Sequence, residues 1–214
     1  MPVRVKICGI TRAEDAVEAA ALGVDAIGLV FVPGSKRALS IEQARTIGSA
    51  LPPLVATVGL FLDAAADEVR RVLDAVPLNW LQFHGREDPA FCASFARPWI
   101  KALPMGSPEA VHYPEWKQAP ALMLDGHSLG AMGGSGAGFD WNAARLPDRP
   151  WILAGGLDPD NVGEAVRRLR PAGVDVSSGV ESAPGLKSAT LMQRFMTALD
   201  EAAERDATSF GRTV

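Results

Sequence analysis

The sequence predicts a single (β/α)8 barrel, and three observations carry that expectation. Short apolar runs alternate with amphipathic helical patterns from one end of the chain to the other. Several of the runs are continuously apolar, as strands covered on both faces of a parallel sheet are. Eight such units fit into the 214 residues, about 25 residues each, and eight is the number at which a βα-alternating parallel sheet closes on itself.

The elements follow in order. Val3–Ile7 is the first strand. Thr11 and Glu14 are expected to open the next helix as a capping box, with Val17, Ala20, Ala21 and Val24 as its apolar stripe. Ala26–Phe31 is the second strand, and Ser40 with Gln43 is a second capping box. Ala56–Leu60 is the third, followed by a stripe of Val69, Val72, Leu73 and Val76. Trp80–Phe83, Trp99–Ala102 and Ala121–Leu124 are the fourth to sixth strands. Helical signal is weak between Pro104 and Pro120 and between Phe139 and Pro147, which predicts short or irregular connections there. After Trp151–Leu153, Asp158 and Pro159 read as N-cap and first helical residue, ahead of Val162, Ala165, Val166 and Leu169. Val174–Val176 is the eighth strand, and Met192, Phe195, Met196 and Leu199 mark the last helix. No linker divides the chain, so residues 1–203 form one barrel domain, and the polar, patternless residues 204–214 are expected to be a disordered tail.

The competing architecture, an open doubly wound sheet, would carry GxGxxG after its first strand; Cys8-Gly9-Ile10-Thr11 stands there instead. One internal echo is present. Gly23-Val24-Asp25 and Gly173-Val174-Asp175 each lead a strand, and Pro33-Gly34-Ser35-Lys36 and Pro184-Gly185-Leu186-Lys187 follow them. Either an old duplication or shared βα grammar accounts for it.

Composition narrows the function. A formal net charge of −4 argues against nucleic acid as a partner, although backbone N–H groups at helix starts can still bind an anion. No run approaches the roughly 18 apolar residues of a membrane span, and no apolar stretch follows Arg4 and Lys6 as in a signal peptide. The two cysteines form no CxxC and the three histidines show no ligand spacing. The expectation is a cytoplasmic protein with reduced thiols, no metal and no cofactor, a small-molecule substrate, and a monomer or homodimer.

In a barrel of this kind the active site lies at the C-terminal ends of the strands. The residues there are Lys6 and Cys8, then Ser35-Lys36-Arg37, Asp63, Gln82 and His84, Asp125, Gly155-Gly156 and Ser177-Ser178-Gly179. Loops seven and eight are the usual phosphate-binding pair of such barrels, and Gly155, Gly156, Ser178 and Gly179 let the backbone approach an anion closely. Gly130–Gly138 holds five glycines in nine residues, which suits either a lid or a plain flexible linker. A free cysteine is most often inert packing. Cys8, however, sits at a strand end, beside Gly9 and before a capped helix, a setting that lowers a thiol pKa. Cys92, within Phe91–Phe95, reads as packing. Asp125 ends the apolar run Leu122-Met123-Leu124, so it is either a loop cap or a partly desolvated carboxyl suited to general acid work. His127 is a second candidate for that role.

Taken in order, Val5–Thr11, Gly34-Ser35-Lys36-Arg37, Leu81–Gly85, Leu124-Asp125, Gly133-Gly134-Ser135-Gly136, Phe139-Asp140-Trp141, Gly155-Gly156-Leu157 and Val174–Glu181 are similar to the phosphoribosylanthranilate isomerase family of tryptophan biosynthesis. The resemblance runs from residue 3 to about 195. It implies a TIM-type barrel that converts N-(5-phosphoribosyl)anthranilate to 1-(2-carboxyphenylamino)-1-deoxyribulose 5-phosphate by an Amadori rearrangement. It also implies Asp125 as general acid, Cys8 as general base and Arg37 as partner of the anthranilate carboxylate. A thiol base needs either a lowered pKa or a small thiolate fraction, and the sequence leaves both open. Lys6, Gln82, His84 and Asp175 are implied contacts to sugar or ring. Two departures stand out: Ala137-Gly138 follows Gly136, where the family often has Lys-Thr, and Ser188 replaces an aspartate. The nearest rivals are a phosphosugar isomerase of histidine biosynthesis, which would carry aspartate at the position of Cys8, and a non-catalytic phosphosugar-binding barrel.

Overall fold

The computed structural model describes residues 3–104, 113–126 and 146–210. Eight parallel strands close into a barrel in sequence order: β1 (Arg4–Cys8), β2 (Ala26–Val30), β3 (Ala56–Phe61), β4 (Trp80–Phe83), β5 (Trp99–Pro104), β6 (Ala121–Asp125), β7 (Trp151–Ala154) and β8 (Gly173–Val176). Around them lie α1 (Ala13–Ala21), α2 (Ile41–Ala50), α3 (Ala66–Ala75), α4 (Pro89–Ala93), α5 (Val162–Leu169) and α6 (Ala189–Phe210). A short antiparallel pair, β9 (Glu181–Ala183) and β10 (Leu186–Lys187), follows β8. All eight strands expected from sequence are present. The weak stretch after Pro104 contains a 3-10 turn at Tyr113–Trp116; most of the stretch 139–147 lies outside the described residues.

Strand periodicity divides the core in two. Val58, Ile100, Ala102, Met123 and Ala154 form one cluster inside the barrel. The alternate residues build the larger cluster between barrel and helices, including Ile7, Leu29, Phe61, Phe83, Val69, Val162 and Phe195. Three helical stripes bury as the spacing predicts: Val69 and Val72, Val162 and Ala165, and Met192 and Phe195. The register matters for function. Lys6 is paired with Ala26 on one side and Asp175 on the other, and Asp125 with Ala154 and Pro104, so polar residues at neighbouring strand ends share the inner face.

Helix starts agree less evenly. The Ser40–Gln43 capping box forms in both directions, at 3.1 and 2.8 Å. The Thr11–Glu14 box does not: Arg12 is the N-cap, without a side-chain cap bond, and the Thr11 hydroxyl donates to the Gly185 carbonyl. Helix α1 is also rotated from its expected stripe. Asp15, Ala16 and Ala19 are buried and Val17 is 46 % exposed, because the Asp15 carboxylate turns inward to accept the Lys187 N–H at 3.2 Å. Likewise Asp158 does not cap α5. Its carboxylate accepts the N–H groups of Asp160 and Asn161 in a turn ahead of the helix, and Asn161 is the N-cap position. At the other end the backbone from 204 to 210 is helical within α6, past the expected domain boundary; 211–214 lie outside the described residues. Among the described residues, no helix is long and apolar enough to cross a membrane.

Candidate active site

A cavity of about 390 Å³ opens at the C-terminal ends of the strands. Its lining includes Cys8, Arg37, Gln82, His84, Asp125, Asp175, Gly155, Gly156 and Ser178, nine of the eleven residues given a catalytic, substrate-binding or phosphate-binding role from the sequence. Lys6 and Gly179 sit behind it. One wall is apolar, made by Val30, Val32, Leu60 and Leu62, and offers a flat moiety a dry surface. That wall was not singled out from the sequence, because its residues continue two ordinary apolar strands.

Cys8, at the end of β1, is 5 % exposed. Gly28, its register partner on β2, makes the room: a Cβ there would lie 2.6 Å from Cys8 Sγ and 3.1 Å from Lys6 Nζ. A glycine inside an apolar strand is a known sign of close approach. Lys6 is buried and bonded to Asp175 at 2.8 Å. Of the two alternatives the sequence leaves open for Cys8, a lowered pKa is not what the surroundings give. Burial pushes the thiol up, and Asp175 adds to the rise, while Lys6 and Lys187 work against it. Burial pulls the Lys6 ammonium down, but Asp175 and Cys8 outweigh it, so Lys6 stays charged. Burial also raises the Asp175 carboxyl, which Lys6 opposes.

Asp125 ends β6 and faces His84, with Nε2 to Oδ2 at 3.2 Å. Gln82 Nε2 lies 3.3 Å from His84 Nδ1. The geometry lets Nε2–H donate to Asp125 and Nδ1 accept from Gln82. His84 is held in turn: its N–H donates to the Phe61 carbonyl, and its neighbour Gly85 donates to Glu87 Oε2 at 2.9 Å and accepts from Lys101 Nζ at 2.7 Å. The buried Lys101–Glu87 ion pair, at 2.8 Å, is a support that sequence reasoning missed, since a lysine on an outward-facing strand position carries no pattern. Glu87 also takes the Asp63 N–H at 2.8 Å, and Asp63 takes that of Arg86 at 2.6 Å. Asp63 therefore ties loops three and four together and does not line the cavity.

Loops seven and eight meet through glycine. Gly155 and Gly156 have φ of +91° and +68°, the region that favours glycine, and a Cβ on Gly155 would collide with the Gly126 backbone. A Cβ on Gly179 would collide with the Leu157 carbonyl. Asn161 Nδ2 fixes the Gly156 carbonyl at 2.8 Å, and Ser178 opens a 3-10 turn, Ser178–Val180. The two loops therefore meet at the cavity lining, in a glycine-rich stretch of backbone of the kind an anion can use.

Arg37 also lines the cavity, with two of its nitrogens already bonded to Glu181. Gly9, at φ +75°, leaves a passage for its stem. Cys92 is buried in α4, its thiol pushed to about 12 mainly by burial, as packing would have it. His127 and Gly130–Gly138 lie outside the described residues.

Known proteins agree with this architecture. A family model described as N-(5'phosphoribosyl)anthranilate (PRA) isomerase matches residues 5–198. An N-(5'-phosphoribosyl)anthranilate isomerase of Pseudomonas putida is 51 % identical over 207 residues, covering 94 % of this chain and 98 % of the relative. The crystal structure of phosphoribosyl anthranilate isomerase from Thermus thermophilus superposes with a TM-score of 0.82 at 43 % identity, covering 93 % of this chain and 99 % of that one. A structure of the isomerase in complex with reduced 1-(o-carboxyphenylamino)-1-deoxyribulose 5-phosphate gives 0.76 at 35 % identity, with coverage of 93 % and 99 %. The chain belongs to the N-(5'-phosphoribosyl)anthranilate isomerase family.

Proposed function

We propose that this chain isomerises N-(5-phosphoribosyl)anthranilate in the rim cavity, with Asp125 as general acid and Cys8 as general base. The carrying observation is that one cavity receives a carboxyl from β6 and a thiol from β1, strands separated by β7 and β8. Two groups set apart in this way can serve two ends of one substrate. Asp125 protonates the ring oxygen, the C–O bond breaks, and the nitrogen lone pair forms an iminium. Cys8 removes the proton from the adjacent sugar carbon, giving an enolamine that becomes the ketone. The proton that Cys8 takes and the one that Asp125 gives leave the substrate's composition unchanged, as an isomerisation requires.

The remaining residues fit the substrate's other parts. The N–H groups around Gly155, Gly156, Ser178 and Gly179 suit the phosphate, and the wall of Val30, Val32, Leu60 and Leu62 suits the aromatic ring. Arg37 suits the ring carboxylate. Gln82 and His84 hold Asp125 in one orientation, and Lys6 and Asp175 supply the charge beside the thiol. A thiol raised by burial is mostly protonated at neutral pH, and its thiolate is correspondingly basic. Activity then rises with pH as the thiolate fraction grows.

The test follows the loss of anthranilate-type fluorescence on adding freshly made N-(5-phosphoribosyl)anthranilate, with Cys8→Ala and Asp125→Ala in parallel. Turnover by the parent and losses of at least about a hundredfold in both variants are expected, the usual range for an acid or base. No turnover by the folded parent would overturn the assignment and make the substrate of the histidine-pathway phosphosugar isomerase the next to try.

A further inference from the structure

Arg37 touches the cavity, and two buried charges behind it do not. Glu181 on β9 accepts Arg37 Nε at 2.7 Å and Nη2 at 2.6 Å. The same carboxylate accepts Lys187 Nζ, on β10, at 2.7 Å, and Lys187 donates also to the Ser177 carbonyl at 3.1 Å. Side-chain exposure falls along this chain of charges, from 13 % at Arg37 to 5 % at Glu181 and 0 % at Lys187. Assuming the isomerase reading above, we propose that Glu181 and Lys187 are positioning residues that aim the Arg37 guanidinium at the anthranilate carboxylate.

The geometry gives each a separate part. A guanidinium has five N–H donors in a rigid plane, and Glu181 takes one from Nε and one from Nη2. The edge left over carries the Nη1 pair and the second Nη2 hydrogen, and Nη1 makes no hydrogen bond among the described residues. That edge is the one able to hold a carboxylate with two parallel bonds. Fixing the plane in advance removes the ordering cost from binding. Charge explains Lys187. An Arg–Glu pair alone is neutral, whereas two cations around one carboxylate leave one positive charge for the ligand. Burial works to raise the Glu181 carboxyl, but Arg37 and Lys187 outweigh it and hold it below its ordinary range. Glu181 therefore remains ionised wherever the enzyme works.

The hairpin that carries both residues is anchored elsewhere, through the Thr11 hydroxyl on the Gly185 carbonyl and Asp15 on the Lys187 N–H. This gives a role to the second Pro-Gly-x-Lys segment: Gly185, at φ +83°, makes the turn that returns Lys187 to Glu181.

The test uses calorimetric binding of two probes, reduced 1-(o-carboxyphenylamino)-1-deoxyribulose 5-phosphate and its phenylamino counterpart without the carboxylate. The wild type should prefer the first. In Glu181→Gln that preference should fall by about tenfold, the size of one charge-assisted hydrogen bond. Lys187→Met should give a smaller fall, and affinity for the carboxylate-free probe should stay within about twofold in both variants. In turnover by Glu181→Gln, KM should rise while kcat holds. Equal weakening of both probes would mean merely structural support and would overturn the proposal. So would tighter binding of the first probe to Glu181→Gln, which would make Glu181 a competitor for Arg37. A wild type that binds neither probe would instead bring down the isomerase reading itself.

Discussion

Gly28 is where the structure can be tested most sharply. It lies on β2 beside Cys8, and a methyl group there would stand 2.6 Å from the sulfur and 3.0 Å from the Cys8 Cα. Restoring an ordinary 3.4 Å contact moves the sulfur by about 0.8 Å. Overpacking of this kind costs about 1–3 kcal/mol, or about 2–4 °C of Tm for each kcal/mol in a domain of this size. Displacement of a reacting group by about 1 Å costs on the order of a hundredfold in rate. Gly28→Ala should therefore stay folded, with a modest fall in Tm and a much larger fall in kcat. A double-mutant cycle separates the two effects. In the Cys8→Ala background the new methyl group occupies space the sulfur has left, so the part of the stability loss due to the sulfur should vanish, with a coupling of about 1 kcal/mol or more. Fluorescence kinetics and thermal unfolding of the four proteins are sufficient. A Gly28→Ala enzyme with unchanged Tm and kcat/KM within about twofold of the parent would refute the argument that the thiol is held in one narrow place.

Two further outcomes follow from the buried charges and the rim glycines. Lys6→Met strands Asp175 in the interior, which should cost about 3–5 kcal/mol. Because Asp175 is already pushed up by burial, protonating it relieves the defect, so the loss measured by denaturant unfolding should be larger near pH 8 than near pH 5. The same substitution removes the cation that opposes the rise of the Cys8 thiol, so the limb of kcat/KM set by Cys8 should move to higher pH; an unmoved limb would separate Lys6 from the base. Gly179→Ala drives a methyl group into the Leu157 carbonyl and must part loops seven and eight. KM should rise by about tenfold or more, the size of one charge-assisted bond, and competitive inhibition by inorganic phosphate should weaken in parallel. An unchanged phosphate inhibition constant would move the phosphate elsewhere.

Sequence periodicity revealed the barrel because strands buried on both faces and helices buried on one leave different patterns. Strand order and ends then located the rim, and with it Cys8, Asp125, Gln82 and His84. The failures have a common cause. Thr11 and Asp158 read from local rules as helix caps, but Thr11 is claimed by a partner distant in sequence and Asp158 by its own turn. Thr11 bonds Gly185 and Asp15 bonds Lys187, both distant in sequence, while Asp158 closes its own turn. Gly28, Glu181 and the Lys101–Glu87 pair were passed over for the same reason, since what they do depends on a neighbour that only the closed barrel supplies. The direction of the Cys8 shift stays open in the sequence because a nearby helix start is legible there and the depth of burial is not.

The seam between β1 and β8 joins the two ends of the polypeptide. Lys6–Asp175, Arg37–Glu181, Asp15–Lys187 and Thr11–Gly185 span 169, 144, 172 and 174 residues. Contacts of such separation form late, because loop closure must precede them. A nascent chain still lacking its last strand on the ribosome would have Asp125, His84 and a nearly complete sheet, yet neither a fixed Arg37 nor an ion pair beside Cys8. Chemical competence therefore arrives with the final act of folding, and recovery of turnover reports when the first and last strands have found each other.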